Sequence, residues 1–245
     1  MKEIKRDRLK IKFCEFYQRL GAKLHLSPPV MARYKFTVKN HEDKPIFSTE
    51  GKCNSFVRNY YNHIASQSLY LSAGIGTGGN ASGVFGDGVD IPAKNTAGVL
   101  QLPGAGLAPV RLNSGSDGFM ANAGVTTNGI VVGSSDLAES FDAFKLDNLI
   151  DHGTGAGQLQ YGAGSTPAVR AFNNTTKVLT SQFTRAFTNS SAGNVTIREF
   201  GVYGLYSAGT SFYMMTIRDV LVTPIVLTPG QILTLSYELS MVMSN

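Results

Sequence analysis

Tryptophan is absent from this chain of 245 residues, cysteine occurs twice, and charged side chains make up only 16% of it. Cys14 and Cys53 lie far apart and belong to no metal-ligand spacing. That argues against a zinc site and against a disulfide framework, and two buried or incidental thiols in a reducing compartment is the simpler reading. No apolar run approaches the roughly 20 residues a helix needs to cross a bilayer, and no apolar stretch follows the basic Lys2–Lys12 as one would in a signal peptide. The expectation is a protein that neither spans a membrane nor carries an export signal. The four histidines, His25, His41, His63 and His152, form no His-x-x-x-His arrangement, and no Gly-x-Ser-x-Gly elbow is present; Gly115-Ser116-Asp117-Gly118 does not supply one. His152 beside Asp151 is the one acid–imidazole neighbour pair, and adjacent residues on a strand point to opposite faces. The chain is therefore read as a non-enzyme that uses no cofactor and no metal.

What the chain has instead is glycine, 27 residues of it, and β-type alternation. In Gln231–Met243 the residues Leu233, Leu235, Tyr237, Leu239, Met241 and Met243 share one parity, while Thr234, Ser236, Glu238 and Ser240 share the other. Period two over this length predicts a half-buried strand. Lys177–Thr188 reads the same way, with Leu179, Phe183 and Phe187 against Thr180, Gln182 and Thr184. Val195–Leu205 and Phe212–Val222 are further β-rich runs, the latter leading through Thr223–Gly230 to a Pro229-Gly230 turn. With Asn189–Asn194 as a connection, these four strands are expected to form one antiparallel sheet, half of a sandwich.

Ahead of this region, Met31–Val38 alternates, and Ile46–Lys52 can pair back on it as a hairpin. Phe56–Leu71 places its apolar residues mainly at helical spacing behind an Asn54-Ser55 cap, which predicts one short amphipathic helix. Residues 73–128 are rich in Gly, Ala, Ser and Asn; extended strands or segments ordered at an interface are favoured over one long loop. Gly74–Gly79 matches Gly-x-Gly-x-x-Gly, but a Gly- and Ser-rich stretch follows where a dinucleotide fold needs a helix, so a turn-forming role is preferred to phosphate binding. His152–Gly157 reads as a tight connection between an element near Phe141–Ile150 and a strand at Gln158–Ala163. The carboxylates Asp136, Glu139, Asp142, Asp147 and Asp151 lack EF-hand spacing and are better read as a solvated acidic face than as a calcium site.

The fold class is thus all-β: an antiparallel β-sandwich or jelly-roll-like body over 129–245, a basic N-terminal arm over 1–30, a hairpin plus helix over 31–72, and the Gly/Ala-rich segment over 73–128. Charge is divided unevenly along it. Residues 1–62 hold 14 Lys and Arg against 6 Asp and Glu, a net of +8, while residues 63–245 hold 8 against 11, a net of −3. Lys5, Arg6, Arg8, Lys10, Lys12, Phe13, Phe16 and Tyr17 are the candidate partner-docking residues. Docking on a neighbouring subunit is favoured over direct contact with nucleic acid, because Glu3, Asp7 and Glu15 dilute the charge.

Several stretches also carry a resemblance. Gly129–Gly133, Asp151–Gly162, Phe183–Asn189, Val195–Tyr203 and Ile217–Leu221, closed by a Pro-Gly-Gln turn and joined more weakly by Ser55–Asn59, resemble uncharacterised virion structural proteins of tailed bacteriophages. The resemblance implies a virion component, assembled in the host bacterial cytoplasm, whose partners are other virion proteins (major capsid or tail subunits) and further copies of itself. The expectation is a capsid-associated decoration, cement or minor capsid protein that works by subunit packing and arm docking. The alternatives are a tail, neck or baseplate component, or a glycan-binding module of a tail fibre. In the last case Tyr203, Tyr206, Phe212 and Tyr213 are the candidate stacking platforms.

Overall fold

The computed structural model describes residues 30–53, 56–57, 59–60, 93–101, 119–165, 169–207 and 211–242. They form β1 (Val30–Lys39), β2 (Pro45–Cys53), β3 (Ala93–Lys94), β4 (Leu100–Gln101), β5 (Gly129–Gly133), β6 (Gln160–Tyr161), β7 (Val169–Asn173), β8 (Val178–Thr188), β9 (Val195–Ser207), β10 (Ser211–Leu227) and β11 (Ile232–Val242). The larger sheet runs β2-β1-β11-β8-β6, with β7 also on β8; the smaller runs β10-β9-β5, and β3-β4 is a minor ribbon. Every pairing between named strands is antiparallel. The all-β, two-sheet expectation therefore holds.

Alternation explains what each strand buries. Across the larger sheet Tyr34, Tyr237 and Phe183 stand in one row, and Val38, Leu233 and Phe187 in another. From the smaller sheet Phe200 packs edge-on against Tyr34, Phe36 and Tyr237, with centroids 5.0, 5.0 and 5.9 Å away. These rings are the centre of one core joining both sheets. Tyr237 also donates its hydroxyl to Asp219 of β10 at 3.0 Å, a polar tie across the core.

One expectation is corrected. The four C-terminal strands do not lie in one sheet: β8 and β11 pair in the larger, β9 and β10 in the smaller. The connection after β8 is an arch between layers, built on the fully buried Asn189. Its side-chain amide donates to the carbonyls of Gly193 and Leu227, both at 2.8 Å, and its oxygen accepts the Ser191 amide. The backbone of Asn189 and the Thr228–Gln231 turn exchange two further bonds, so both inter-sheet arches are locked together. A second correction concerns β10, which continues past Val222 to Leu227. It accommodates Pro224 through a register shift between Val220 and Ile225, on the outer strand of its sheet.

The hairpin of β1 and β2 forms as expected. Its turn is held by the Asn40 side chain, which accepts the Glu42 and Lys44 amides, and Asp43 takes a left-handed φ of 64°. β1 is an inner strand, paired with β11 along its whole length, so the hairpin and the body share one sheet. Of the helix expected over 56–71, Asn59 and Tyr60 are helical, and 58 and 61–71 lie outside the described residues. Most of 73–128 lies outside them too. The stretch around Phe141–Ile150 forms no strand of its own beyond a Gly133–Leu149 bridge, and β6 is the strand expected at Gln158–Ala163, shorter than read.

Two buried arginines fasten the irregular segment 119–165 to the sheets. Arg185 of β8 occupies a core-facing position opposite Leu235 and is 1% exposed. Among the described residues no carboxylate meets it. Its guanidinium donates five bonds to the carbonyls of Gly162, Asn128, Ile130, Asn122 and Val125, at 2.6–3.2 Å, and lies 4.9 Å from the Tyr161 ring centroid. Burial lowers its pKa to about 10, which still leaves it charged at neutral pH. Arg218 of β10 pairs instead with the fully buried Glu199 of β9 (2.9 Å) and with Asp147 (2.5 Å). It also donates to the carbonyls of Leu137 and Ala138, while Glu199 accepts the Asn148 amide at 2.9 Å. Gly133 is required beside this cluster: a Cβ there would lie 2.6 Å from Glu199 Oε1 and 2.7 Å from the Asn148 carbonyl.

Candidate docking groove

The two sheets are unequal in width, and the inequality creates an apolar groove at one edge. β2 is an edge of the larger sheet, β10 an edge of the smaller, and both lie on the same side of the molecule. Alternation aims Phe47, Thr49 and Gly51 of β2 inward, in register with Val38, Phe36 and Tyr34. Among the described residues no further strand of the smaller sheet lies beyond β10 to cover them.

The result is a groove of about 620 Å³. Tyr34, Val38 and Phe47 line it from the hairpin, and the bulged stretch Val220–Val226 of β10 lines it from the facing sheet. Among the described residues its lining contains no Asp, Glu, Lys, Arg or His. Around it Ile46 is 53% exposed, Phe47 48%, Val222 76% and Val226 49%. Four large apolar side chains clustered at one edge form a patch of the kind that marks an interaction surface, whereas scattered ones would not.

Chain connectivity decides where the groove is open. Toward the Cys53 end of β2 the β10 edge is occupied: Phe56 bridges to Ile217, and the Val57 amide donates to the Thr216 carbonyl at 3.1 Å. The buried Asn59 side chain fixes this corner by donating to the carbonyls of Lys94 and Met215 and accepting the Lys94 amide. Further along, the Val220 amide donates to Glu139 Oε1 at 3.1 Å. Val222–Val226 lies past these closures, at the Lys39–Pro45 end of the hairpin. The Pro224 bulge interrupts a continuous ladder there, so an occupant is held mainly by side-chain burial with a few backbone bonds.

A second, shallower pocket of about 360 Å³ lies on the outer face of the larger sheet. Arg33, Lys35, Glu50, Glu238, Gln182 and Ser236 line it, and the register places Arg33 opposite Glu238 and Lys35 opposite Glu50. Opposite charges on facing strands stabilise the sheet itself, which accounts for this cluster without a ligand.

No family model, curated protein or solved structure matches the chain.

The residues singled out from sequence fare unevenly. Lys5, Arg6, Arg8, Lys10, Lys12, Phe13, Phe16 and Tyr17 lie outside the described residues, as does Gly74–Gly79. Of the aromatic platforms, Tyr203 is 4% exposed, and its hydroxyl accepts the Leu146 amide at 2.6 Å; burial raises its pKa well above the ordinary value. It is a core residue, too buried to offer a stacking platform. Phe212 and Tyr213 are half-buried, and the Tyr206 side chain lies outside the described residues. The acidic segment is an exposed face, as expected: Asp136, Glu139, Asp142, Asp147 and Asp151 are all exposed, while Asp147 reaches buried Arg218, Asp136 lies 3.5 Å from Arg198, and Glu139 accepts the Val220 amide. Among the described residues no acidic or His/Cys group is arranged to hold a metal ion. His152 accepts the Tyr161 amide through Nδ1 at 3.1 Å, which gives it a positioning role in the tight connection before β6.

The groove itself had no sequence signature, since Ile46, Phe47, Val222 and Val226 sit in ordinary strand patterns. One signal was available for the clamps. In Val178–Thr188 Arg185 shares the parity of Phe183 and Phe187, and a charge on the apolar parity of a strand marks a buried, fully bonded group.

Proposed function

We propose that the chain is a structural protein of a tailed bacteriophage virion, a capsid-associated subunit that acts by subunit packing and arm docking. The observation that carries this reading is the uncharged groove between the β2 and β10 edges. Removing such a surface from water is favourable by about 25 cal/mol per Å² of apolar area, and among the described residues its lining holds no Asp, Glu, Lys, Arg, His or Cys. The resemblance of the strand and turn motifs to virion structural proteins supports the same reading and supplies the particle. The inter-sheet arches and the two arginine clamps suit such a role, because they fix the irregular segments against the core.

The test is the mass of the full-length chain by light scattering across a concentration series, for the parent and for Phe47→Asp/Val222→Asp. The expected result is association beyond the monomer in the parent and a monomer in the variant, with the same unfolding midpoint in urea. A parent that stays monomeric throughout the series, or a variant that associates unchanged, overturns the groove as the assembly surface.

A further inference from the structure

The groove and the start of the described chain lie at opposite ends of the sandwich. β1 enters the sheet at Val30, opposite Met241, and reaches the groove end at Lys39, opposite Ile232. Nine residue steps at about 3.3 Å separate these ends by roughly 30 Å. The N-terminal arm therefore joins the body at one end, and the apolar groove opens at the other.

The arm also carries a segment whose pattern fits the groove. Arg8-Leu9-Lys10-Ile11-Lys12-Phe13 alternates strictly between basic and apolar residues. An extended chain with this pattern directs Leu9, Ile11 and Phe13 to one face and Arg8, Lys10 and Lys12 to the other. The apolar face matches a lining without charge, made by Val38, Phe47, Val222 and Ile225 among others. The basic face stays in water, where its charge is not desolvated. Among the described residues the smaller sheet ends at β10 over the inner face of β2, so the place an occupant takes is that of one more strand.

We infer that residues 8–13 of one copy seat in the β2–β10 groove of a second copy, so that copies join head to tail. The inference rests on the reading of this chain as an assembly subunit and names its partner: the same chain. A head-to-tail contact uses two different surfaces on each copy, and so it closes into a ring or continues as a filament. With residues 14–29 as a tether, the arm also places the next body at a bounded distance, up to about 50 Å of extended chain.

Native Cys14, next to Phe13, supplies the probe. One full-length chain carries Cys53→Ser and keeps Cys14. Its partner carries Cys14→Ser, Cys53→Ser and a new thiol in the groove, either Val222→Cys or, on the facing wall, Phe47→Cys. After mixing and mild oxidation, a disulfide between the two chains can only be intermolecular. The expected result is a yield from one of the groove thiols at least about tenfold above that from Thr175→Cys, since a seated arm raises the local thiol concentration. Thr175 lies in the exposed turn between β7 and β8, near the Val30 end, and serves as the control. Leu9→Asp/Ile11→Asp in the first chain should abolish the difference.

A yield equal to the control overturns the inference, and if the parent still associates through Phe47 and Val222, the assembly reading survives without it. A chain carrying Cys14 and a groove thiol together, with Cys53→Ser, tests the other route. If it closes on itself at a rate independent of concentration while the mixed chains fail to join, the arm fills its own groove and the head-to-tail contact is wrong. A parent that never associates removes both readings.

Discussion

Arg185 is the residue whose loss should reveal most about how this body is held together. Replacing it by methionine keeps the aliphatic stem against the core and removes the guanidinium. The carbonyls of Gly162, Asn122, Val125, Asn128 and Ile130 then lose their donor together. A hydrogen bond to a charged group contributes about 1.5–3 kcal/mol net, but water reaches the carbonyls nearer the surface, and single substitutions seldom cost more than about 5 kcal/mol. The expected loss for Arg185→Met is therefore about 3–5 kcal/mol, read as a lower urea midpoint at pH 7 with the parent slope. Arg185→Lys keeps a charge without the planar fork and should fall between the two. Hydrogen exchange adds a readout that a plain cavity would not give. Amides of residues 121–130 should exchange faster in Arg185→Met than those of β9, because the five bonds tie that segment to β8. A loss below about 0.5 kcal/mol, within the range of ordinary surface substitutions, would refute the clamp.

The second buried arginine has a partner, and that changes the prediction. Glu199→Ala should cost about 3 kcal/mol because it removes the fully buried partner of Arg218 and leaves only the half-exposed Asp147 to offset its charge, whereas Glu199→Met/Arg218→Met should be less destabilised than Glu199→Ala; urea unfolding of both variants checks the order. Alkaline pH supplies another check. Burial raises the Tyr161 and Tyr203 hydroxyls above their ordinary pKa near 10, so the folded state keeps protons that the unfolded state releases. The stability from these two tyrosines is fully present below pH 10 and is lost as pH rises above it. Arg185 acts with the opposite sign, since its lowered pKa lets the unfolded state hold the proton more tightly between about 10 and the ordinary value. With two groups against one, the urea midpoint should fall above pH 10, and Tyr161→Phe/Tyr203→Phe should flatten that fall; a midpoint that rises with pH in the parent would contradict the balance.

The strands were legible because a strand's side-chain period is two and local. Leu233, Leu235 and Tyr237 alternate with Thr234, Ser236 and Glu238, and nothing outside that stretch is needed to see which face is buried. The hairpin of β1 and β2 was legible for the same reason, with a polar turn of matching length. Which strand pairs with which was not legible. β8, β9, β10 and β11 carry similar patterns, and their division between two sheets depends on Asn189 and on the Thr228–Gln231 turn carrying the chain across the core. Those bonds join residues some 40 positions apart in sequence.

The same separation hid the clamps and the groove. Arg185 reaches carbonyls 55–63 residues away, and Arg218 meets Asp147 across 71. Phe47 and Val222 become neighbouring walls only because one sheet is wider than the other. By itself the sequence determined that this is an antiparallel β-protein with alternating faces, since that pattern is written residue by residue along each strand. The tertiary structure decided the division into two unequal sheets, the burial of two arginines and the open apolar edge, because each of these depends on which distant segments meet.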